Sequence, residues 1–393
     1  MLKQNIIEAA RKYKTEFIGI RQHLHAHPEL SYQEFETAAF VKQKLTEWGI
    51  PHTTLASTGV VGIIEGKNAN KKVIALRADM DALPITEEND VPYASKIPGL
   101  MHACGHDVHT TCLLGAAKIL NELKGAWEGT VKLIFQPGEE KNPGGASIMI
   151  KEGVLKNPAP EAIFGLHVHP GLPTGKLSFR AGKVMASADE LYITVKGKGG
   201  HAAAPHLAVD PILIASHLVV TLQQVISRHC NPHNPSVLSI TSIHGGTTTN
   251  IIPDAVTLMG TFRAMDEDWR FKAHELIKTT SSTLAASMGG SAEITIDVGY
   301  PTVYNDAALH DTAWALAADF LGSAHIEETE LRMGAEDFGY YSQQIPGCFF
   351  RLGVMNQKKG IVHGVHTARF NVDEDAIEIG MGIMAWLGAS AKI

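Results

Sequence analysis

Met101-His102-Ala103-Cys104-Gly105-His106-Asp107-Val108-His109-Thr110-Thr111-Cys112 concentrates three histidines, thiols and a carboxylate in one short stretch. Immediately downstream the pattern turns helical. Val108, Cys112, Leu113, Ala116, Ala117 and Leu120 recur at spacings of three and four, which predicts an amphipathic helix over 108–123. The polar groups therefore sit on a loop and the first turn of a helix, where backbone N–H groups and the positive dipole end favour anions such as a thiolate. Thiolate and imidazole together are ligands for a first-row metal such as zinc. Taken singly, each residue would read as a buried cysteine or a solvated histidine; the cluster points to a metal site.

Working outward, the stretch is flanked by continuous apolar runs that read as buried strands. Upstream are Val60–Glu65 and Lys72–Met80, the second ending in Arg77-Ala78-Asp79-Met80-Asp81-Ala82-Leu83-Pro84. Two aspartates at i and i+2 where a buried strand emerges suit an active-site rim, with one of them orienting a metal-bound histidine or standing beside the metals. Downstream, Thr130–Phe135 empties into Gln136-Pro137-Gly138-Glu139-Glu140, and Ala162–Leu166 delivers His167. Adjacent carboxylates point apart, so one is free to bind metal while the other faces a water. Strands alternating with helices, with polar residues at the strands' ends, predict an α/β domain with its site along one edge.

Near residue 184 the grammar changes. Glu190–Lys196, Val237–Ile243, Val256–Arg263 and Glu293–Val298 alternate apolar and polar residues as strands, while Pro211–Arg228 and Glu267–Met288 read as helices. The order β-α-β-β-α-β predicts a ferredoxin-like unit with its helices on one face. Its loops include Gly197-Lys198-Gly199-Gly200-His201-Ala202-Ala203-Ala204-Pro205-His206, which lacks phosphate-loop spacing. From Gly299 the α/β pattern resumes, with a helix over Asp306–Leu321, a strand over Cys348–Val354, the loop His363-Gly364-Val365-His366 and a last helix over Asp373–Leu387. The expected architecture is a discontinuous α/β domain, 1–184 and 299–393, with 185–298 inserted. At the N-terminus, 4–24 and 32–48 predict two helices, the second capped by Ser31 with Glu34 closing a capping box. His25-Ala26-His27-Pro28 between them reads as a turn rather than a metal pair.

A length of 393 residues favours two domains, and 45% hydrophobic with 19% charged residues describes a globular chain. The net charge of −7 argues against nucleic acid or an anionic membrane as partner. Cys104, Cys112, Cys230 and Cys348 form no framework spacing, and no apolar run is long enough to cross a bilayer. With no signal-like apolar core near the N-terminus, the expected location is the cytoplasm.

Cys104, His106, Glu140, His167 and His366 come from four separate segments. Five ligands exceed a closed structural zinc site and suit two divalent metals sharing a bridging ligand and a water. Such a pair activates the water and clamps a carbonyl oxygen, as in an amidase or peptidase, and Glu139 is then the natural general base.

The ordered motifs RADMDALP, MHACGHDVH, QPGEE, GLHVHP, GKGGHAAAPH, TNIIPD, GAEDF and HGVHTARF resemble the M20 metallopeptidase family. The chain is most similar to its amidohydrolase branch, which contains aminoacylases, hippurate hydrolases, indole-acetyl-amino-acid hydrolases and N-acetyl-diaminopimelate deacetylases. The resemblance covers nearly the whole chain. It implies a two-metal catalytic domain, a lid that dimerises, and hydrolysis of N-acyl amino acids. It further implies that His201 steadies the tetrahedral oxyanion at a neighbouring subunit's site, and that Asn250 holds the substrate carboxylate. Asp81 joins Glu139 and His201 as a catalytic candidate. Asp79 stands where the peptidase branch has a metal-binding histidine, and Cys104 where it has a bridging carboxylate. A thiolate favours zinc, carboxylate and water also admit manganese, and nickel or cobalt remain open. Three rivals share the fold: a dipeptidase or carboxypeptidase, a catalytically silent binding protein, and a one-zinc enzyme. A homodimer or homotetramer through the lid is the expected assembly.

Overall fold

The computed structural model describes residues 1–392. The chain divides into two compact units: Met1–Val184 with Tyr304–Glu330 and Asp337 onward, and Met185–Val303 with Leu331–Glu336. In chain order the first unit begins with α1 (Leu2–Ala26), α2 (Phe35–Glu47), β1 (His52–Leu55), β2 (Gly59–Glu65) and β3 (Val73–Asp79). It continues with α3 (His106–Glu122), β4 (Thr130–Gln136), α4 (Gly145–Lys151), β5 (Ala162–Pro173), β6 (Leu177–Phe179) and β7 (Gly182–Met185). The second unit carries β8 (Asp189–Lys196), β9 (Gly200–His201), α5 (Pro211–Gln224), β10 (Ser236–His244), β11 (Ile251–Ile252), β12 (Ala255–Ala264), α6 (Glu267–Ser287) and β13 (Ser291–Val298). The chain returns through β14 (Val303–Asn305), α7 (Ala307–Leu321), β15 (Ile326–Glu328), α8 (Gly339–Ser342), β16 (Gly347–Met355) and α9 (Asp375–Ser390).

The first unit is built on an eight-stranded sheet ordered β1-β2-β4-β3-β5-β16-β6-β15. Its centre, β4-β3-β5-β16, is parallel. Antiparallel strands flank it, β2 against β4 and β6 against β16. Parallel strands are covered on both faces, and every residue of β4 is buried accordingly. From β3 the chain crosses to β4 on one side, while β5 leads to strands on the other. The carboxyl ends of β3 and β5 therefore flank a topological switch point, the place where α/β sheets open a binding crevice.

The second unit has an antiparallel sheet ordered β10-β12-β8-β13. Strand β8 alternates buried and exposed residues, and its inward Leu191, Ile193 and Val195 meet Ile214, Leu218 and Leu222 of α5 and Ala273 and Ile277 of α6. The burial pattern follows from the period-2 alternation read in the sequence.

Several expectations are corrected. Helix α3 is not amphipathic in its surroundings: His106 to Ala117 is buried all round, between α1, α9 and the sheet. Ser31 does not cap α2, which starts at Phe35; its hydroxyl donates to Asp81 Oδ2 at 2.6 Å. Glu29 takes over the capping role, its carboxylate accepting the N–H groups of Glu36 and Thr37 at 3.1 and 2.8 Å. Glu34 instead receives Thr58 Oγ1 at 2.7 Å and Gly138 N at 2.8 Å, tying the QPGEE loop to the N-terminal segment. His25 is no turn residue. It lies in α1, fully buried, with Nδ1 at 2.8 Å from Asp107 Oδ2 and Nε2 at 3.0 Å from Glu87 Oε1. These contacts span long sequence separations, which local periodicity does not register.

Candidate metal centre

The site forms where β3 and β5 separate. Asp79 ends β3, and Asp81 follows two residues later with its carboxylate buried. That carboxylate organises the loop opposite: Oδ1 accepts Glu139 N at 3.0 Å and Oδ2 accepts Glu140 N at 2.9 Å. Both glutamates after β4 are thus held by their backbone, leaving their side chains to act. Gly105 leads into α3 at φ +87°, the left-handed region that favours glycine, and sets Cys104 and His106 on either side of a sharp turn. His366 also has a positive φ, 61°, and its N–H donates to Ala103 O at 2.7 Å, which carries its imidazole to the same loop. A non-glycine residue held there is strain of the kind found at functional sites.

Four of the expected ligands meet around the thiol. Cys104 Sγ is 3.3 Å from His366 Nε2 and 3.5 Å from His167 Nε2, and Glu140 Oε1 is 3.2 Å from His366 Nε2. The fifth, His106, brings Nε2 to 4.0 Å from Glu140 Oε1. Ligand atoms of Cys104, His106 and His167, of Cys104, Glu140 and His366, and of His106, Glu139 and Glu140 each lie within 4.8 Å of one another. His106 Nδ1 faces Asp81 Oδ1 at 3.2 Å and His167 Nδ1 donates to Val168 O at 2.7 Å. Both rings therefore direct Nε2 lone pairs inward. His106 Nε2 is buried with no hydrogen-bond partner, and the group facing it at 4.0 Å is the carboxylate oxygen Glu140 Oε1. Buried lone pairs facing lone pairs are unfavourable unless a cation lies between them, so the donor set fits divalent metals.

The buried charges act on each of these groups differently. Burial would lower His106, but the charges of Asp79 and Cys104 outweigh it and raise its pKa well above the usual histidine value. Hydrogen bonds to Cys104 and Glu140 push His366 up to about 10. Burial, with His109 and Arg351 nearby, holds His167 well below the ordinary value, so it is a neutral donor. Burial and the charge of Glu140 raise the Cys104 thiol. A coordinated dication reverses that balance and deprotonates the thiol.

Behind the expected ligands lies a network that the sequence did not disclose. Arg77, fully buried in β3, donates to Gln136 Oε1 at 2.9 Å, Asp79 Oδ2 at 2.6 Å and Asp337 Oδ1 at 2.7 Å. Asp337 also accepts Ala146 N at 3.0 Å, and its own N–H lies 3.4 Å from Glu139 Oε1. An arginine in an otherwise apolar strand was the available signal. Asp107 turns away from the ligands and accepts Arg21 Nε at 2.8 Å, fastening the first turn of α3 to α1. His102 is buried but belongs to none of the ligand groupings among the described residues. His201 and Asn250 are exposed in the second unit, where the His201–Ile251 pairing of β9 with β11 and Ala202 N to Asn250 O at 3.0 Å join their loops.

A mixed α/β sheet opened at its switch point, with imidazoles, a thiol and carboxylates converging there, defines a metal-dependent hydrolase. The chain belongs to peptidase family M20/M25/M40, whose profile matches residues 75–387. A Saccharolobus solfataricus protein named thermostable carboxypeptidase 1 is 39% identical over 384 residues, 96% of each chain. The N-acetyl-L-cysteine deacetylase of Bacillus subtilis is 40% identical over 363 residues, 92% of this chain and 85% of that one. The crystal structure of a dinuclear metal-binding M20 peptidase from Bacillus subtilis matches with a TM-score of 0.84 at 36% identity, covering 96% of this chain and 98% of that one.

Proposed function

We propose that the protein hydrolyses the amide bond of N-acyl amino acids, with acetyl, benzoyl or similar acyl groups, releasing a carboxylate and the free amino acid. The observation that carries this reading is the convergence of Cys104, His106, Glu140, His167 and His366 beside Glu139. The 40% identity to a deacetylase of an N-acetyl amino acid supports the substrate class. When bound, two divalent ions supply a Lewis acid for the carbonyl oxygen and lower the pKa of the attacking water. Zinc or manganese is the proposed pair, with nickel and cobalt as the comparison set.

The protein's own groups do the rest. Cys104, His106, Glu140, His167 and His366 hold the ions. Glu139 accepts the water's proton at its carboxylate and returns it to the leaving amine nitrogen. Asp81 serves by fixing His106 Nδ1 and the backbone N–H groups of Glu139 and Glu140. On the resemblance, His201 donates a hydrogen bond to the oxyanion in a partner subunit's site, and Asn250 binds the substrate carboxylate. Dimerisation, or tetramerisation, through the second unit is supported by α5, whose fourteen residues include no Asp, Glu, Lys or Arg while Ile212, Leu213 and Val220 are exposed. A cytoplasmic location is supported by four free cysteines.

The 39% identity to a carboxypeptidase favours one second reading, cleavage of a free C-terminal residue from a peptide. A panel of N-acetyl and N-benzoyl amino acids against dipeptides, on protein reconstituted with each metal, decides between them. Turnover of the acyl amino acids with Glu139→Gln lowered about 100-fold or more at unchanged metal content is the expected result. Metal loss in that variant would assign Glu139 to the ligands instead.

A further inference from the structure

The inward-facing His167 is steadied by a device that begins at His109. On the side of β5 that faces β3, the ladder ends at the Arg77–Gly165 pair, while on the other side β5 stays paired to β16 through Val168 and beyond. Past Gly165 the two strands splay apart, so the inner edge of β5 loses its backbone partner. Two imidazoles substitute for it at Val168. The Val168 N–H donates to His109 Nε2 at 2.9 Å, and the Val168 carbonyl accepts His167 Nδ1 at 2.7 Å.

These bonds fix both tautomers. A nitrogen that accepts a backbone N–H carries no proton, so neutral His109 holds its proton on Nδ1, where Asp79 Oδ1 receives it at 2.5 Å. A nitrogen that meets a carbonyl must donate, so His167 is protonated on Nδ1 and its Nε2 lone pair is left to face Cys104 Sγ. The two rings also pack together, with centroids 4.6 Å apart. Asp79 is itself committed, to Arg77 Nη1 and to His109, both buried, which takes this carboxylate out of the ligand set. Asp79, His106 and His109 also lie within 4.8 Å of one another, but both nitrogens of His109 are engaged in these hydrogen bonds.

We propose that His109 is a positioning residue: anchored by Asp79, it replaces the missing β3–β5 ladder at Val168 and so holds His167 in the orientation and tautomer needed to bind metal. The inference deepens the proposed function, resting on its assignment of His167 as a ligand, and assigns His109 a role distinct from ligation. Partners of this outer kind are worth about 10–100-fold in metal affinity.

The test has two parts. Nitrogen NMR of the metal-free wild-type protein, with labelled histidine, reads the tautomers directly; both His109 and His167 are expected to carry the proton on Nδ1. A proton on Nε2 of either ring overturns the proposal. Zinc affinity by chelator competition is then compared for the wild type, His109→Leu and His109→Gln. Leucine leaves the Val168 N–H and Asp79 Oδ1 unmatched, and an affinity 10–100-fold weaker is expected. Glutamine can both donate and accept, and is expected to regain most of the loss. Unchanged affinity in His109→Leu overturns the proposal, as does His109→Gln binding no better than His109→Leu. Should His109→Leu fail to fold, the wild-type tautomers and the affinity of His109→Gln still decide. A wild type that binds no zinc, manganese, cobalt or nickel would sink the proposed function, while the tautomers still test the link from Asp79 to His167.

Discussion

Gly105→Ala probes the turn on which Cys104 and His106 depend. Gly105 has φ +87°, and a Cβ built there would lie 2.5 Å from Val168 Cγ2 and 3.4 Å from Phe370 Cζ. A left-handed backbone costs an ordinary residue about 1–2 kcal/mol. Val168 is buried and β-branched in a paired strand, so it has no soft rotamer to escape to, and overpacking of this kind costs about 1–3 kcal/mol. The sum is roughly 2–5 kcal/mol. Relief comes most easily by moving the turn away from β5, which lengthens the 3.5 Å approach of Cys104 Sγ to His167 Nε2. Even 2 kcal/mol felt at the ligands weakens metal binding by about 30-fold, since 1.36 kcal/mol is tenfold. The assay is chelator competition together with thermal unfolding, run as a double-mutant cycle with Val168→Ala. Removing Cγ2 relieves the clash but not the φ strain, so the cycle should show a coupling of about 1–3 kcal/mol, the overpacking share alone. Gly105→Ala with wild-type affinity and stability, or additivity within about 0.5 kcal/mol, would refute the close contact between this turn and β5.

Cys104→Ser should lose bound metal and activity together, because a hydroxyl does not ionise near neutral pH as a coordinated thiol does; full metal content measured by elemental analysis would remove the thiol from the ligand set. Adding a chelator to the wild type should lower its melting temperature, by an amount that grows with the free metal previously present, and a melting temperature indifferent to metal would argue against a specific site. In the second unit, Asp189 is buried and accepts Arg270 Nη2 at 2.5 Å, Arg270 Nε at 2.9 Å and His274 Nε2 at 2.8 Å, so Asp189→Asn should destabilise that unit by about 3–5 kcal/mol, read by hydrogen exchange in β8 and α6. Burial would raise the Asp189 pKa, but its bonds to His274 and Arg270 outweigh this and hold it below the usual carboxylate range. Its contribution is therefore present above the unfolded value of about 3.9 and lost as pH falls through the lower folded value, so the Asp189→Asn penalty should shrink below about pH 4; a penalty constant down to pH 2 would contradict the pairing.

Periodicity and local chemistry determined much of this protein. The alternation of Glu190–Lys196 is the buried-exposed pattern of β8, and the apolar runs at 72–80 and 130–135 are the buried strands β3 and β4. These signals are local: a strand covered on two faces has to be apolar throughout, and one covered on a single face has to alternate. Residue type alone also nominated Cys104, His106, Glu140, His167 and His366, since softness and charge are properties of a side chain before it is placed. What only the tertiary structure decided is which polar groups answer one another. Ser31 looked like a helix cap until Asp81, fifty positions away, claimed its hydroxyl. His25 looked like part of a turn, yet it is a buried partner of Asp107. His109 is indistinguishable in the sequence from the proposed ligand His106 three residues earlier. The splaying of β3 from β5 gives one ring to the backbone of Val168 and leaves the other facing Glu140. A hydrogen bond is fixed by distance and direction to within a fraction of an ångström, and for residues far apart in the chain those quantities exist only after the strands have packed.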